Sequence, residues 1–361
     1  MTPQEFQDSI LKFQHRVDAR ANALGDELVK ALEAVQERLI GKLALLPPDQ
    51  SGSFTKARLT AQRAEVEKVL AEVYQGMGQQ VRDAAGDVMQ ASAQHTVTTM
   101  SAATGLEVSL GHGLTKDMVT LWAEANTVDG LLLNDWLGKL EAGAVYRIVS
   151  VGRQAMIEGL PVDSMARLFR SEGIEGSVPG LRGLARTFSL SASNHAREQT
   201  TEALFSDVLA GWRRVGTLDG RTCLVCGPLD GKLYKADEPR PPLPQHWQCR
   251  CLYVAEPKTW RELGVDMDEL PEGDRPAVKH DERTVHHRDG STSTKYTVAS
   301  VDRVPGGTTY QAWMKGQLEK DPAFVRKVLG SARFDLFKDG KLSLNRMTAH
   351  GRILKLSELP A

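Results

Sequence analysis

The chain has 361 residues, of which 41% are hydrophobic and 25% charged, as expected for a folded protein of about two or three domains. Its formal net charge is −1, so the overall charge does not demand a nucleic acid or an acidic membrane as partner. The start, MTPQEFQDSI, lacks the basic and apolar regions of a secretory signal, and no apolar run approaches the ~18 residues of a spanning helix. We expect a soluble protein made in a reducing cytosol.

Two long amphipathic helices are predicted in residues 1–112. Apolar residues recur every three or four positions from Pro3 to about Leu46 and again from about Phe54 to Met100, which is helical spacing. The segment LPPDQSGS at 46–53 separates them. Helices of ~45 residues would each be ~65 Å long. The pattern predicts an antiparallel hairpin or coiled coil that holds a partner or an assembly; two arms of a larger helical bundle are the alternative.

Shorter helical patterns follow in the central region, residues 113–210. They cover Thr115–Ala125, Leu131–Glu158, Pro161–Ser171 and Val178–Leu209. In the third pattern, LPVDSMARLF places Asp163 or Ser164 at the N-cap.

The composition changes at residue 211. Residues 211–262 contain short, turn-bounded runs with β-branched and aromatic residues, which predict a small β element. Residues 263–300 are rich in Pro, Gly, Asp, Arg, Ser and Thr and are predicted to be an extended loop or linker, with one hairpin as an alternative. Residues 301–361 return to short helices. The predicted fold class is therefore mainly α with a small β and zinc module (α+β).

All four cysteines fall between residues 223 and 251. Cys223-x2-Cys226 is followed, after twenty-two residues, by Cys249-x-Cys251, and His246 forms a His-x2-Cys pair with Cys249. Thiolate and imidazole are the ligands that zinc prefers, and two short chelating pairs joined by a loop can close a tetrahedral site. Prolines in the joining loop, PRPPLPQ, reduce the entropy lost when it is ordered.

The spacing therefore predicts a structural zinc site with five candidate ligands for four places. We favour Cys223, Cys226, His246 and Cys249, with Cys251 as a substitute ligand, a neighbouring thiol or a core residue. Whether His246 or Cys251 takes the fourth position is open.

Three other chemistries compete for these cysteines. Two disulfides fit the count but not a reducing compartment. A thioredoxin-like redox pair opens a helix, whereas Gly227 and Pro228 follow Cys226 directly. Catalytic zinc sites of deaminases carry His-x-Glu ahead of Pro-Cys-x-x-Cys, and those of metalloproteases carry His-Glu-x-x-His; neither arrangement occurs in this sequence. We therefore expect a closed metal site and no enzymatic activity.

Several neighbouring residues fit a metal-stapled module. Asp219 is expected to accept backbone N–H groups at a turn, with Arg221 as its clamp. LDGK at 229–232 has the form of an Asp-Gly hairpin turn. Arg250, between two cysteines, is expected either to offset the charge of the thiolates or to face solvent.

The order of these motifs resembles the phage head morphogenesis family, the Mu F-like minor head proteins. TLDGRTCLVCGPLDGKLY followed by PLPQHWQCRC is similar to that family's Asp-x-Arg-Thr-Cys-x-x-Cys segment, Leu-Asp-Gly turn and His-x-x-Cys-Arg-Cys close. In the preceding helix, LARTFSLSASNHARE resembles the family's arginine-threonine and asparagine-x-x-arginine positions, here Arg186, Thr187, Asn194 and Arg197. The closing segments TTYQAWMKGQ, VRKVLGSARFDLFKDGKLSL and LKLSELP are also similar, so the resemblance covers about residues 160–361.

The resemblance implies a non-catalytic minor capsid protein of a tailed bacteriophage. Such proteins are incorporated at or near the portal vertex during procapsid assembly, which implies the portal protein and neighbouring capsid or scaffold components as partners. The implied location is the virion, with the host cytoplasm during assembly and no membrane. The alternative is a zinc-dependent DNA-binding protein associated with the packaged genome; basic residues outnumber acidic ones in 301–361, so a weak contact with DNA phosphates and a solvated helical surface are both open there.

Overall fold

The computed structural model describes residues 1–44, 56–111, 115–158, 164, 167–168, 175–269, 272–286, 292–349 and 351–359. Within these ranges the chain is mainly α-helical, with small antiparallel sheets, which confirms the predicted fold class. No helix in this part of the chain combines the length and the apolar character needed to cross a membrane. The predicted break at 46–53 lies outside the described residues, as does the predicted helix Pro161–Ser171 apart from three positions.

Two long helices, α1 (Pro3–Ala44) and α2 (Lys56–Thr104), form the predicted hairpin. Ser9 Oγ lies 3.0 Å from His95 Nε2 near one end, and Arg38 Nη2 lies 3.0 Å from Glu72 Oε2 near the other. The start of α1 thus lies beside the end of α2, and the end of α1 lies nearer the start of α2, so the two helices are antiparallel.

The hairpin is part of a larger bundle. Three further helices pack with it: α3 (Lys116–Ala125), α4 (Leu133–Ile157) and α5 (Val178–Phe205). Arg182 of α5 pairs with Asp26 at 2.8 Å, and Arg186 donates to Asn22 Oδ1 at 3.0 Å. These contacts make α5 antiparallel to α1 and hence parallel to α2. The antiparallel hairpin and the larger bundle are therefore both observed, since α1 and α2 pair with each other and α1 also pairs with α5.

One apolar core joins α1 to α5. Its buried side chains include Leu28, Leu70, Ile148 and Leu184, each no more than 1% exposed. Burying one such side chain contributes about 1.5–3 kcal/mol, so the bundle gains stability along the whole length of both long helices.

Beyond α5 the chain forms a three-stranded antiparallel sheet. Its strands are β1 (Leu209–Val215), β2 (Leu233–Lys235) and β3 (Leu252–Pro257), in the order β2-β1-β3. The last residues of the helix predicted to end at Leu209 belong instead to a 3₁₀ turn and to the start of β1. The central strand pairs Trp212 with Tyr234 on one side and with Ala255 on the other.

The segment predicted as an extended linker is largely a β ribbon. Strands β4 (Asp274–His286) and β5 (Thr292–Pro305) pair in antiparallel fashion along their length. The sequence predicted the ribbon only as an alternative. Most of its described residues beyond Val278 are exposed or half-buried, so the two strands need no clear alternation of apolar and polar residues. The domain limits predicted at residues 112, 210, 262 and 300 stay predictions.

Three short helices form a second core at the C-terminal end. They are α6 (Tyr310–Lys320), α7 (Pro322–Leu329) and α8 (Ser331–Lys338), followed by the two-residue strands β6 (Thr348–Ala349) and β7 (Arg352–Ile353). Tyr310, Met314 and Val325 are fully buried there together with Leu218 of the cysteine-containing module. The C-terminal helices therefore pack directly on that module.

Candidate metal centre

The first pair of candidate ligands lies in a tight turn between β1 and β2. The backbone N–H groups of Cys226 and Gly227 donate to the carbonyl oxygen of Cys223, at 3.1 and 2.9 Å. The N–H of Cys226 also points at Cys223 Sγ, 3.4 Å away. This geometry turns both sulfur atoms to the same side, and the N–H group favours the ionised form of the first thiol.

The second group of ligands lies in the loop between β2 and β3. Cys249 N donates to the carbonyl of His246 at 3.1 Å, and Cys251 immediately precedes β3, where Leu252 pairs with Val215. Since Val215 ends β1, the loop returns to the end of the sheet from which the Cys223–Cys226 turn leaves. Adjacent strand ends thus bring together five donors that are distant in sequence.

The five donors form two overlapping groups that share Cys226. His246 Nε2 lies 3.1 Å from Cys223 Sγ and 3.2 Å from Cys226 Sγ, and Cys226 Sγ lies 3.7 Å from Cys249 Sγ. The second group is completed by Cys251, and within each group all donor atoms lie within 4.8 Å of one another. Two thiolates on a tetrahedral zinc, each at about 2.3 Å, are separated by about 3.8 Å, so the arrangement fits a metal ion.

The orientation of His246 also suits a metal ligand. Its Nδ1 lies 2.9 Å from the carbonyl oxygen of Trp247, which makes Nδ1 a protonated nitrogen and directs Nε2 at the thiols. Nε2 can bind a metal ion once it has lost its own proton. Ligating histidines in proteins are commonly held in this way by a carbonyl or carboxylate.

Two of the four thiols, those of Cys223 and Cys249, ionise readily because their pKa values are lowered. The pKa of the Cys223 thiol is lowered to about 4, first because Cys226 donates a hydrogen bond to it, and then because His246 lies beside it. The pKa of His246 is raised to about 11, first through its hydrogen bond with Cys223. The pKa of Cys226 is raised, first through its hydrogen bond with Cys223 and then through that with Cys249. The contact with Cys226 lowers the pKa of Cys251, but Cys249 and burial raise it overall. Two thiols thus keep their protons, and a bound metal cation would displace them.

The cysteines are free thiols. Cys226 Sγ and Cys249 Sγ, at 3.7 Å, are well beyond the ~2.05 Å of a disulfide bond. Three of the four cysteines are at most 5% exposed, so the cluster lies inside the protein rather than in an open cleft.

Sequence reasoning missed Arg214, which contacts the thiols from the C-terminal end of β1. Its Nη2 lies 3.4 Å from Cys226 Sγ and 2.7 Å from Gln245 Oε1. Burial alone would lower the pKa of Arg214, but the thiols of Cys251 and Cys226 raise it overall. The sequence did contain a signal for this contact. Side chains alternate between the two faces of a strand, so in the segment WRRV Arg214 lies on the same face as Trp212.

Arg250 does not face solvent: its guanidinium binds both oxygens of Asp219 at 2.8 Å. Burial lowers the pKa of Arg250, but Asp219 raises it overall, and the thiol of Cys251 makes a smaller contribution in the same direction. The expected compensation of thiolate charge by Arg250 stays a prediction. Asp219 accepts the backbone N–H groups of Arg221 and Thr222 at 3.0 Å, as predicted. The expected clamp, Arg221, instead lies over the ring of Tyr296.

The LDGK segment does not form a hairpin turn. Residues Gly227–Leu229 form a 3₁₀ turn, and Gly231, with φ of +81°, leads into β2, which pairs with β1. Because β1 already ends at Val215, LDGK is not the tight turn that joins the two strands. The side chain of Asp230 points inwards, where its oxygens accept from the backbone N–H of Gly216 and of Tyr310, each at 2.7 Å.

Helix α5 holds the ligand loop through three of the four motif residues noted in it. Thr187 Oγ1 accepts the N–H of Gln248 at 3.0 Å, and Asn194 donates to the carbonyl of Cys251 at 3.2 Å. Arg197, which is buried, donates to Asn194 Oδ1 at 3.2 Å. The fourth residue, Arg186, faces α1.

Trp247 anchors the ligand loop to the bundle. Its backbone N–H donates to Asp129 at 2.8 Å, and its ring lies against Trp136 with the centroids 4.2 Å apart. The ring also lies so close to Gly183 of α5 that a Cβ there would be 2.7 Å from Trp247 Nε1. A residue next to a candidate ligand is thus locked to the helix.

Residues 147–254 match the family model described as phage Mu protein F like protein. The match begins in α4 and ends in β3, and therefore includes α5 and all five candidate ligands. No curated protein and no solved structure matches the chain. Beyond residue 254 the predicted resemblance stays a prediction. Residues 147–254 are thus a Mu F-like segment, and the family resemblance drawn from the motifs is confirmed there.

Proposed function

We propose that the protein is a non-catalytic minor capsid, or head morphogenesis, protein of a tailed bacteriophage, incorporated at or near the portal vertex during procapsid assembly. The family match over residues 147–254 carries this proposal. That segment is also the part of the chain where α5, the three-stranded sheet and the thiol cluster are joined by direct hydrogen bonds.

The proposed role of the thiol cluster is a structural zinc site made by Cys223, Cys226, His246 and Cys249, with Cys251 beside it. Zinc suits a donor set of thiols and one imidazole. Neither donor group in the described part of the chain contains a carboxylate, and the sulfur atoms are largely buried, which supports a closed, non-catalytic site.

A partner-binding role is supported by the shape of the N-terminal region. Helices α1 and α2 have 42 and 49 residues and present long polar faces around a shared core. The proposed partners are the portal protein and neighbouring capsid or scaffold components, and the proposed location is the virion, at its interior or portal vertex.

Co-expression with the portal protein of the same phage tests the assembly role. We expect the full-length chain to co-purify with the portal in an assembly of defined stoichiometry, and to be found by mass spectrometry in purified particles. A chain absent from both the portal complex and the particles would overturn the proposal. The Cys226→Ser variant in the same experiment shows whether the metal module is needed for incorporation.

A further inference from the structure

Arg214 is an arginine without an ordinary counter-ion. It lies on the central strand of the three-stranded sheet, it is 0% exposed, and Trp212 on the same face is also 0% exposed. A guanidinium keeps its charge under all ordinary conditions, and a buried charge is strongly unfavourable unless a partner of opposite charge lies beside it. The surroundings of Arg214 must therefore supply negative charge.

No carboxylate supplies the negative charge beside Arg214. Among the described residues no Asp or Glu forms a salt bridge with Arg214; its hydrogen bonds go to Cys226 Sγ and to the neutral Gln245, and its Nε and Nη1 have no partner in that part of the chain. The phenol of Tyr253 also lies near Arg214, but burial raises its pKa and keeps it neutral. Among the described residues, the thiols are therefore the groups beside Arg214 that ionise most easily.

The backbone fixes Arg214 against the thiol cluster. Its N–H donates to the carbonyl of Lys232 at 2.9 Å, and its carbonyl accepts from Gly231 at 2.8 Å. Both partner residues, Gly231 and Lys232, lie a few positions after the turn that carries Cys223 and Cys226. The backbone of Arg214 is thus fixed by the sheet, and this holds its guanidinium beside the sulfur atoms.

The charge of Arg214 matches that of a metal centre with three thiolates. A divalent cation bound by three thiolates and a neutral imidazole carries one net negative charge, which one arginine cancels. With four thiolates the centre carries two negative charges, and one would remain uncompensated in the interior. Arg214 therefore favours the ligand set that includes His246 over the set of four cysteines.

We propose that Arg214 is the built-in counter-ion of the metal–thiolate centre and sets its metal affinity and its preference for a three-thiolate, one-imidazole ligand set. This inference rests on the metal site of the proposed function. Arg214 acts as a positioning residue: it holds a positive charge next to the sulfur atoms without itself binding the metal.

The experiment measures the zinc affinity of the full chain by competition with a chromophoric chelator. Arg214→Met keeps much of the volume and removes the charge, and we expect it to weaken zinc binding about 10–100-fold, as changes next to metal ligands typically do. Arg214→Lys keeps a charge and is expected to retain most of the affinity. Arg213→Met is the matched control: the neighbouring arginine pairs with Glu256 and Glu272, and we expect a change of no more than about 2-fold, as for a site remote from the ligands.

A second control separates charge from hydrogen bonding. Gln245→Met removes the 2.7 Å hydrogen bond of Arg214 but leaves its charge, so we expect a smaller loss of affinity than in Arg214→Met. The cobalt-substituted protein supplies a spectroscopic readout: the thiolate-to-cobalt charge-transfer band is expected to shift in Arg214→Met and not in Arg213→Met.

The outcomes are distinguishable. Wild-type affinity in a folded Arg214→Met variant, or an equal loss in Arg214→Met and Arg214→Lys, would overturn the counter-ion role alone. A wild-type chain that binds no zinc would overturn the metal site of the proposed function and this inference together. If Arg214→Met does not fold, Arg214→Lys and Gln245→Met decide. Both variants keep the positive charge, so a charge role requires both to retain most of the zinc affinity, and a large loss in either would overturn it.

Discussion

Asp230 and Arg275 form an ion pair inside the protein, although 45 positions separate them in the chain. Oδ2 of Asp230 lies 3.0 Å from Nη1 of Arg275, and the two side chains are 0% and 7% exposed. The same carboxylate accepts the backbone N–H groups of Gly216 and Tyr310. One side chain therefore joins the end of β1, the β4–β5 ribbon and the start of α6.

Replacing Asp230 by alanine is expected to lower the free energy of unfolding by about 3–5 kcal/mol, because Arg275 is left as an unpaired buried charge. Denaturant titration followed by circular dichroism measures the loss. The matched control is Asp26→Ala, which breaks the exposed pair with Arg182 and should cost no more than about 1 kcal/mol. Equal losses in the two variants would contradict the role given to the buried pair.

Cys226 belongs to both groups of candidate ligands, so Cys226→Ser is expected to abolish stoichiometric metal binding. Elemental analysis should find close to one zinc per wild-type chain and much less in the variant. Hydrogen exchange should then show local unfolding of residues 211–256, because metal binding supplies much of the folding energy of a small structural site. A fully protected module in the metal-free variant, or thiols oxidised in pairs in the wild type, would contradict the assignment.

The fourth ligand can be identified by comparing two single variants. With His246 in the ligand set, Cys251→Ser should keep one metal per chain and an unchanged cobalt–thiolate band, whereas Cys223→Ser should lose intensity in proportion to the missing thiolate. A Cys251→Ser variant that loses intensity as Cys223→Ser does would place Cys251 in the set and His246 outside it.

Gly183 is expected to tolerate no side chain, because a Cβ there would lie 2.7 Å from the rigid ring of Trp247. Gly183→Ala should therefore destabilise the protein by about 1–3 kcal/mol through overpacking. Gly138 in α4 is the matched control, since a Cβ there meets nothing within 4 Å. Gly138→Ala should stabilise the protein by up to about 1 kcal/mol through helix propensity. Thermal unfolding of both variants measures the sign as well as the size of each change.

His95 makes the hairpin sensitive to acid. Its ring stacks on Phe13 with the centroids 4.2 Å apart, and its pKa is lowered to about 4, first because burial disfavours the imidazolium and then because Arg197 and Arg16 repel it. An unfolded histidine titrates near pH 6.5. Between these two values the unfolded chain binds more protons, so this residue makes stability fall as the pH falls from about 6.5 to about 4.

The measurement is the urea midpoint of the wild type and of His95→Gln over that range of pH. The difference between the two proteins is expected to change with pH between about 4 and 6.5 and to become constant above it. Parallel profiles throughout would contradict the lowered pKa of His95.

Much of the helical structure could be predicted because helical periodicity is a local property. The apolar spacing of α1 and α2 gave their ends to within a few residues, and Thr115 is the N-cap of α3 because its hydroxyl accepts the N–H of Met118. The ribbon was less predictable: a two-stranded element exposed on much of its surface carries a weak apolar pattern.

The candidate ligands were likewise readable from spacing, since Cys-x2-Cys and His-x2-Cys are short chelating pairs. The charged residues that surround these ligands could not be predicted in the same way. Which arginine meets the thiols depends on the face of β1 that packs inwards, and this places Arg214 at the cluster and Arg250 on Asp219. Sequence order suggested Arg250, which is adjacent to two cysteines in the chain but directs its charge elsewhere.

The sequence by itself determined the long helices and the donor set, because both follow from regular spacing over a few residues. The tertiary structure decided how these parts meet. Helix α5 completes the bundle and holds the ligand loop through Thr187 and Asn194, and Asp230 ties the C-terminal helices to the same module. Such contacts join residues far apart in the chain, and they form only when burial of the shared core brings the elements together and leaves each buried polar group to find its partner.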